Sequence, residues 1–349
     1  MSTTIVVRLD SLGDVLLAGP AVRAVAASSD RVVLLCGPRG AEAAAMLPGV
    51  DEILVWNSPW IAQPAPELSS AEWRRLIRMI RSVRADAAVI LTSFHQSPLP
   101  IAMALRLAGV RRIGGASVDY PGSLLDVRLI PGEDLPEDIP EPVRGLRIAA
   151  ASGFVLPLDD SGRLALRPLP ELPGPGDRVF SDYLVVHPGA SVPARRWPAA
   201  AYAALVRELA DRGHRVLVTG DESERDLTAE VAGDAGTDLG GRTPLPEMAR
   251  LLRDARLLVC SNTGPAHLAA AVGTPVVSLY SPVLPAARWA PYGVPVELLG
   301  DQLAPCRGSR ARECPVAGHP CLASVSPAEV VAACERLLAL SAQETEVGA

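Results

Sequence analysis

The sequence predicts an α/β protein built from two parallel-sheet domains. Its 349 residues are enough for two domains, each with its own core. Short β-branched runs alternate with amphipathic helical patterns along most of the chain, the signature of strands joined by crossover helices. That alternation restarts after residues 157–176, a stretch dense in proline and glycine that reads as an interdomain linker.

Residues 3–9 (TTIVVRL) read as the first strand, followed by the turn DSLGD and the helical pattern VLLAGPAVRAVAA. Residues 31–36 (RVVLLC) and 52–56 (EILVW) are further strands, with a short helix at 41–47 between them. Over 70–84, Trp73, Leu76, Ile77 and Ile80 recur at helical spacing. Residues 87–91 (AAVIL) are the next strand. Residues 131–142 are acidic and proline-rich and are expected as an exposed loop, with a helix over 143–154.

In the second half, 183–187 (YLVVH) is a strand that runs into the loop PGASVPARRWP. A helix over 199–211 carries Tyr202, Leu205, Val206 and Leu209 on one face. Strands at 215–219, 256–260 and 275–280 follow, and a final helix at 327–340. The expected division is 1–165 and 177–326, with the terminal helix, about 327–341, packing back on the first domain. Two such units imply Rossmann-like domains facing across a cleft. Ligands of open parallel sheets sit beyond the carboxyl ends of the strands, so the loops after Leu9, His187, Thr219 and Cys260 are where chemistry is expected.

Composition narrows the function. A net charge of −6 and a pI near 5.5 argue against a nucleic-acid partner. The chain has no lysine; all 33 basic residues are arginine. Lysine is therefore removed as a base, a Schiff-base former or a P-loop residue, and cationic work falls to a permanently charged fork suited to phosphates. No signal-peptide pattern and no apolar run near 18 residues is present, which points to a cytoplasmic protein able to touch a membrane surface. Six dispersed cysteines do not read as a disulfide scaffold.

Four loops hold candidate residues. The loop after the first strand lacks the G-x-G-x-x-G spacing of dinucleotide sites. Its Asp14 is either a carboxylate favoured by a helix N-terminus or a general base. Asp10, in the same loop, and His95, in the loop after the 87–91 strand, are candidate acceptor contacts; Ser93 and Gln96 lie beside His95, which could instead cap the next helix. The loop with Gly189, Ser191, Arg195 and Arg196 can cradle a diphosphate through amides and guanidinium groups, with Trp197 as a packing anchor. Asn262, Thr263, Gly264 and His267 sit at a strand-to-helix turn, where exposed amides attract anions. Cys306, Cys314, His319 and Cys321 include the right atoms for zinc, but their spacings of seven, four and one residues do not match compact zinc pairs, and no metal is assigned.

These motifs occur in one order: RLDSLGDVLLAGPAVRAV, HPGAS with RRWP, VLVTGDESE, GRTPLPEMARLL, SNTGPAHLAAAVGTPVVSLYSP and CRGSRARECPVAGHPCL with SPAEV. Together they resemble glycosyltransferase family 9, the ADP-heptose:lipopolysaccharide heptosyltransferases and their relatives. The resemblance implies a GT-B fold, with acceptor on the N-terminal domain and nucleotide-sugar on the C-terminal one. It implies an inverting transfer without metal or other cofactor, onto a glycan, glycolipid or small-molecule acceptor. By the same resemblance Asp14 is the general base and Arg195 contacts the donor phosphates. The ribose carboxylate falls near Glu224, with Asp221 and Glu222 as alternatives, and Arg242 and Thr243 border the nucleotide. Asn262, Thr263, Gly264 and His267 match the family's D-T-G-x-x-H. Arg195 stands where lysine is common, and Asn262 where aspartate is usual. Two alternatives remain open: a sugar transferase with a non-heptose donor acting on a secondary metabolite, and an inactive nucleotide-sugar-binding protein.

Overall fold

Runs of Ile, Val and Leu without a polar break form strands buried on both faces. In the computed structural model, which describes residues 2–169 and 182–347, such runs build two parallel sheets. The chain divides into two compact units, Met1–Arg167 and Pro168–Ala349.

The first unit contains β1 (Thr3–Arg8), α1 (Leu12–Leu17), α2 (Gly19–Ala26), β2 (Arg31–Cys36), α3 (Ala41–Met46), β3 (Glu52–Val55), α4 (Ser70–Val83), β4 (Ala87–Ile90), α5 (Leu99–Ala108), β5 (Arg112–Ala116), β6 (Val127–Leu129) and α6 (Glu141–Ala151). Its strand order is β3-β2-β1-β4-β5-β6. The second unit contains β7 (Tyr183–His187), α7 (Ala199–Asp211), β8 (Arg215–Val218), α8 (Arg225–Ala232), β9 (Thr237–Asp238), α9 (Leu245–Asp254), β10 (Leu258–Ser261), α10 (Gly264–Val272), β11 (Val276–Leu279), α11 (Ala286–Trp289), β12 (Val296–Leu299), α12 (Pro320–Ala323) and α13 (Pro327–Val347). Its order is β9-β8-β7-β10-β11-β12.

Counted along its own unit, each sheet runs 3-2-1-4-5-6, the doubly wound Rossmann order. The connections reverse direction between β1 and β4, and again between β7 and β10. At that reversal the loops after the two strands splay apart and leave a crevice at their carboxyl ends. The crevice loops are those after Arg8, Ile90, His187 and Ser261.

Ile5, Val7, Leu76, Ile80 and Leu105 belong to the core of the first unit. Val186, Tyr202, Leu205, Val259 and Leu337 belong to that of the second. The first helical pattern is two helices rather than one: Pro20 lacks an amide hydrogen, and the chain breaks at Ala18.

Two expectations need correction. Residues 131–142 are not simply an exposed loop: Leu135, Glu141 and Pro142 are buried, because α6 starts at Glu141 and turns its first residues inward. Residues 157–167 are not free linker. Asp160 pairs with Arg23 at 2.6 Å, and Arg167 donates to the Leu47 carbonyl at 2.9 Å, tying this stretch to the first unit. Residues 170–176 of the expected linker lie outside the described residues. Within the second unit, α13 packs on α7 and β12.

Candidate active site

In the first unit, β1 delivers a charge into the crevice. Arg8 is buried at the strand's end, with three carboxylates around it. Its Nη2 donates to Asp14 Oδ1 at 2.8 Å and to Ser93 Oγ at 2.9 Å. Its Nε lies 3.1 Å from Asp10 Oδ2, and its Nη1 lies 3.5 Å from Glu141 Oε2. Burial alone disfavours the Arg8 charge, but Asp10, Asp14 and Glu141 more than reverse that and raise its pKa.

Asp14 lies in the first turn of α1 and makes no cap; its other oxygen accepts from Ser11 Oγ at 2.9 Å. Its carboxyl is fixed by these contacts yet about one-fifth exposed (19%). Asp10 is more deeply set: burial pushes its carboxyl up to about 6, against the pull of Arg8. Gln96 Nε2 donates to Asp10 and Gln96 Oε1 accepts from the Ser93 amide, joining the two crevice loops. Ser93 is thus a partner of Arg8.

His95 is exposed and edge-on to Phe94. It does not cap α5, whose N-terminus has no side-chain cap. It lines a groove of about 220 Å³ with Gln96, Ser117, Asp119 and Arg144. Arg144, buried on α6, donates to the Thr92 carbonyl at 2.6 Å and also borders the small cavity beside Asp14.

In the second unit, β7 ends at His187 and its loop passes over Glu224. A methyl carbon built on Gly189 would lie 2.0 Å from Glu224 Oε1, so only glycine lets the carboxyl rest there. Glu224 Oε2 accepts from the Asp221 amide at 3.0 Å, one half of a capping box. Asp221 spends its own carboxyl on the Ser223 amide, and Glu222 is exposed and paired with Arg225 at 2.9 Å. Of the three acids, Glu224 is the one against the glycine loop. Burial raises its pKa. His187 Nε2 lies 3.8 Å from Glu224 Oε2, and its Nδ1 is 3.1 Å from Thr219 Oγ1. Burial lowers the His187 pKa to about 4, so the ring is neutral at pH 7. A Thr219 hydroxyl donating to Nδ1 puts the ring proton on Nε2, facing Glu224.

Arg195 ends a short 3₁₀ turn and its Nη1 donates to the Asn262 carbonyl at 3.4 Å, which brings the β7 and β10 loops together. Arg196 and Ser191 are exposed, and Arg196 donates to the Ala190 carbonyl at 2.8 Å. Trp197 is a packing residue: it is buried edge-on to Tyr202 and donates to the Val325 carbonyl at 3.2 Å. Thr263 is the N-terminal flanking residue of α10, with Gly264 opening the helix and His267 buried in it. Thr243 is half-buried and Arg242 exposed, just before α9.

Asn262 is held by its amide. Its side-chain nitrogen donates to the Ser281 carbonyl and its oxygen accepts from the Ser281 amide, each at 3.4 Å. A carboxylate cannot make the first bond. The asparagine therefore has a structural reason: it bridges the ends of neighbouring strands β10 and β11.

The cysteine-rich tail has a structural part. Cys306 and Cys321 lie in the second core, and all six cysteines are free thiols. His319 Nε2 meets the Ala194 carbonyl at 3.1 Å, and the Ala194 amide donates to the Arg312 carbonyl at 2.8 Å. The tail thereby braces the turn that carries Arg195. Among the described residues no group of three or more His, Cys, Asp or Glu is assembled to hold a metal ion.

Arg8, Glu141, Arg144, His187 and Ser281 belong to these arrangements without having been singled out from sequence. Arg8 carries a usable signal, as the one charge in TTIVVRL. The others emerge only when distant segments meet.

Residues 159–318 match the family model of glycosyltransferase family 9 (heptosyltransferase). Lipopolysaccharide heptosyltransferase 2 of Escherichia coli K12 is 27% identical over 238 residues, covering 62% of this chain and 66% of that protein, just under two thirds of its length. The solved E. coli ADP-heptose lps heptosyltransferase II has a TM-score of 0.71 at 20% identity, over 98% of this chain and 99% of that one. The E. coli heptosyltransferase WaaC with ADP-2-deoxy-2-fluoro heptose has a TM-score of 0.70 at 20% identity, over 96% and 99% of the two chains. The structural likenesses show the fold, and the resemblance read from the motifs is borne out.

Proposed function

We propose that this chain, whose residues 159–318 carry the glycosyltransferase family 9 match, moves a heptosyl or related residue from a nucleotide-sugar, ADP-heptose first among them, to a glycan or glycolipid acceptor. The observation that carries this reading is Asp14: a carboxylate at a strand-order reversal, held by Arg8 and Ser11 and still one-fifth exposed (19%). That is the geometry of an oriented general base.

The acceptor hydroxyl attacks the anomeric carbon while Asp14 takes its proton. The bond from that carbon to the diphosphate oxygen breaks, and the nucleoside diphosphate leaves with the electron pair. A single displacement of this kind inverts the anomeric configuration. Arg8 holds Asp14 in place through its Nη2. The Arg195 and Arg196 guanidiniums balance charge building on the diphosphate, with the amide end of α10 beside them; the resemblance to glycosyltransferase family 9 is the reason for reading the transfer as metal-independent. Glu224 accepts from the ribose hydroxyls. Gly189, Ser191, Thr243, Thr263, Gly264 and His267 line the donor side, and Asp10 and His95 the acceptor side. Asn262 supports the donor loops through Ser281. The inactive-protein alternative rests on that asparagine, and the turnover assay below tests it. A glycolipid acceptor implies work at the cytoplasmic face of a membrane; among the described residues no helix is long and apolar enough to cross one.

Asp14→Asn tests the reading. Turnover of ADP-heptose with acceptor is expected to fall by ~10³-fold, within the usual range for loss of a general base. Donor affinity is expected to stay within about two-fold, because the amide keeps the shape and the Ser11 contact. An Asp14→Asn protein with wild-type turnover would remove the base from this residue.

A further inference from the structure

The chain carries net charge −6, yet residues 70–112 hold eight arginines against only Glu72 and Asp86. Arg106 and Arg111 are paired with Asp126 and Asp86, and five of the others lie on one helix or at its end. Helix α4 buries Leu76, Ile80 and Val83 and turns Arg74, Arg75, Arg78 and Arg81 outward, all exposed. Arg84 follows at its end, also exposed. Helix α5 packs beside α4, and Arg81 donates to the Leu107 carbonyl at 2.7 Å. The outward side of α5 adds two apolar residues, Met103 and Leu107, 44% and 51% exposed.

Arg75 meets Glu72 at 3.4 Å, but among the described residues no carboxylate pairs with Arg74, Arg78 or Arg84. Arg74 and Arg78 stand four apart, where like charges destabilise a helix. The helix dipole accounts for Arg81 and Arg84 near the C-terminus, but not for Arg74, Arg75 and Arg78.

We propose that the α4–α5 face is a docking surface for an anionic lipid bilayer. A row of arginines next to exposed Met and Leu matches a leaflet with negative headgroups and an apolar interior within reach. The acidic remainder of the chain is repelled by the same leaflet, so charge also selects which face turns toward it. This deepens the glycolipid-acceptor part of the reading above, but its test needs neither donor nor acceptor.

The test is co-sedimentation of the full chain with vesicles of phosphatidylcholine alone, or with about a third phosphatidylglycerol. The expected result is binding to the anionic vesicles only, reversed by high salt. Each arginine near such a surface is worth roughly a five-fold change in binding. Arg74→Gln with Arg78→Gln should therefore weaken it by about 25-fold. Met103→Ser with Leu107→Ser should weaken it while leaving the salt dependence unchanged. All four positions are exposed, so unaltered melting confirms that the variants fold. Failure to bind anionic vesicles, or equal binding by the double arginine variant, overturns the proposal. So does preferential binding of RNA through the same arginines, which assigns the face to nucleic acid. Loss of transfer activity in Asp14→Asn leaves vesicle binding untouched, so the two readings fail separately.

Discussion

Replacing Gly189 by alanine puts a carbon where the Glu224 carboxyl lies. The added Cβ would stand 2.0 Å from Oε1, 2.2 Å from Cδ and 2.3 Å from Oε2 of Glu224. No non-bonded pair tolerates such distances, so the carboxyl must swing away. Leaving its place breaks the bond to the Asp221 amide, now 3.0 Å, and with it half of the capping box. A lost cap costs ~1 kcal/mol of stability. The larger effect falls on the donor. On the proposed ribose role, hydrogen bonds that ribose hydroxyls donate to the Glu224 carboxylate are worth ~1.5–3 kcal/mol, so ADP affinity should fall about 10- to 150-fold. Calorimetric titration with ADP reads this directly, and 2′,3′-dideoxy-ADP serves as the control whose affinity should not change. Combining Gly189→Ala with Glu224→Ala should bind ADP no worse than Glu224→Ala alone, since both act through one carboxyl. Wild-type ADP affinity in Gly189→Ala, or an equal loss for the dideoxy nucleotide, refutes the reasoning.

Two further outcomes follow from the same unit. Asn262→Asp sets a carboxylate against the Ser281 carbonyl, 3.4 Å from the present amide nitrogen, and should cost ~1–3 kcal/mol of stability in urea unfolding; an equally stable variant would mean the Ser281 bridge contributes nothing. His187 gives a pH effect. Its pKa is lowered from 6.5 to about 4 by burial, so above pH 6.5 it is neutral folded and unfolded alike and adds no pH dependence. Between pH 6.5 and 4 the unfolded ring takes a proton that the folded one refuses, so stability falls with pH, by up to ~3 kcal/mol at the lower end. Asp10, raised from 3.8 to about 6, works in the opposite direction over much of that window. The difference between wild type and His187→Gln isolates the histidine, and a difference that stays flat from pH 7 to about 4 would show that the ring takes up its proton alike in the folded and unfolded states.

Much of this was legible locally. Helix α7 was read at its observed limits, because its apolar face repeats with the helical period and nothing distant is needed to define it. Strands β2 and β7 were likewise plain as unbroken apolar runs. Helix α5 and strands β5 and β6 went unassigned. The RIGGA of β5 has little β propensity, and its glycines answer to a neighbour: a methyl carbon on Gly114 would meet Ser152 Oγ at 2.0 Å.

The sequence by itself determined the class of fold and three of the crevice loops, because those depend on local periodicity and turn chemistry; the loop after Thr219, expected with them, follows β8 away from the reversal, and the loop after Ile90 takes its place. It determined that cationic work falls to arginine. It also held the ordered motifs that resemble glycosyltransferase family 9. Only the tertiary structure decided what those residues do to one another. Arg8 and Glu141 lie 133 positions apart and meet because α6 returns to the end of β1. Glu224 was separated from Asp221 and Glu222 by its fit over Gly189, and Asn262 acquired its reason from Ser281 just past the neighbouring strand. Such assignments are interactions between segments, and their energies depend on distance and burial, which a linear order of residues does not contain.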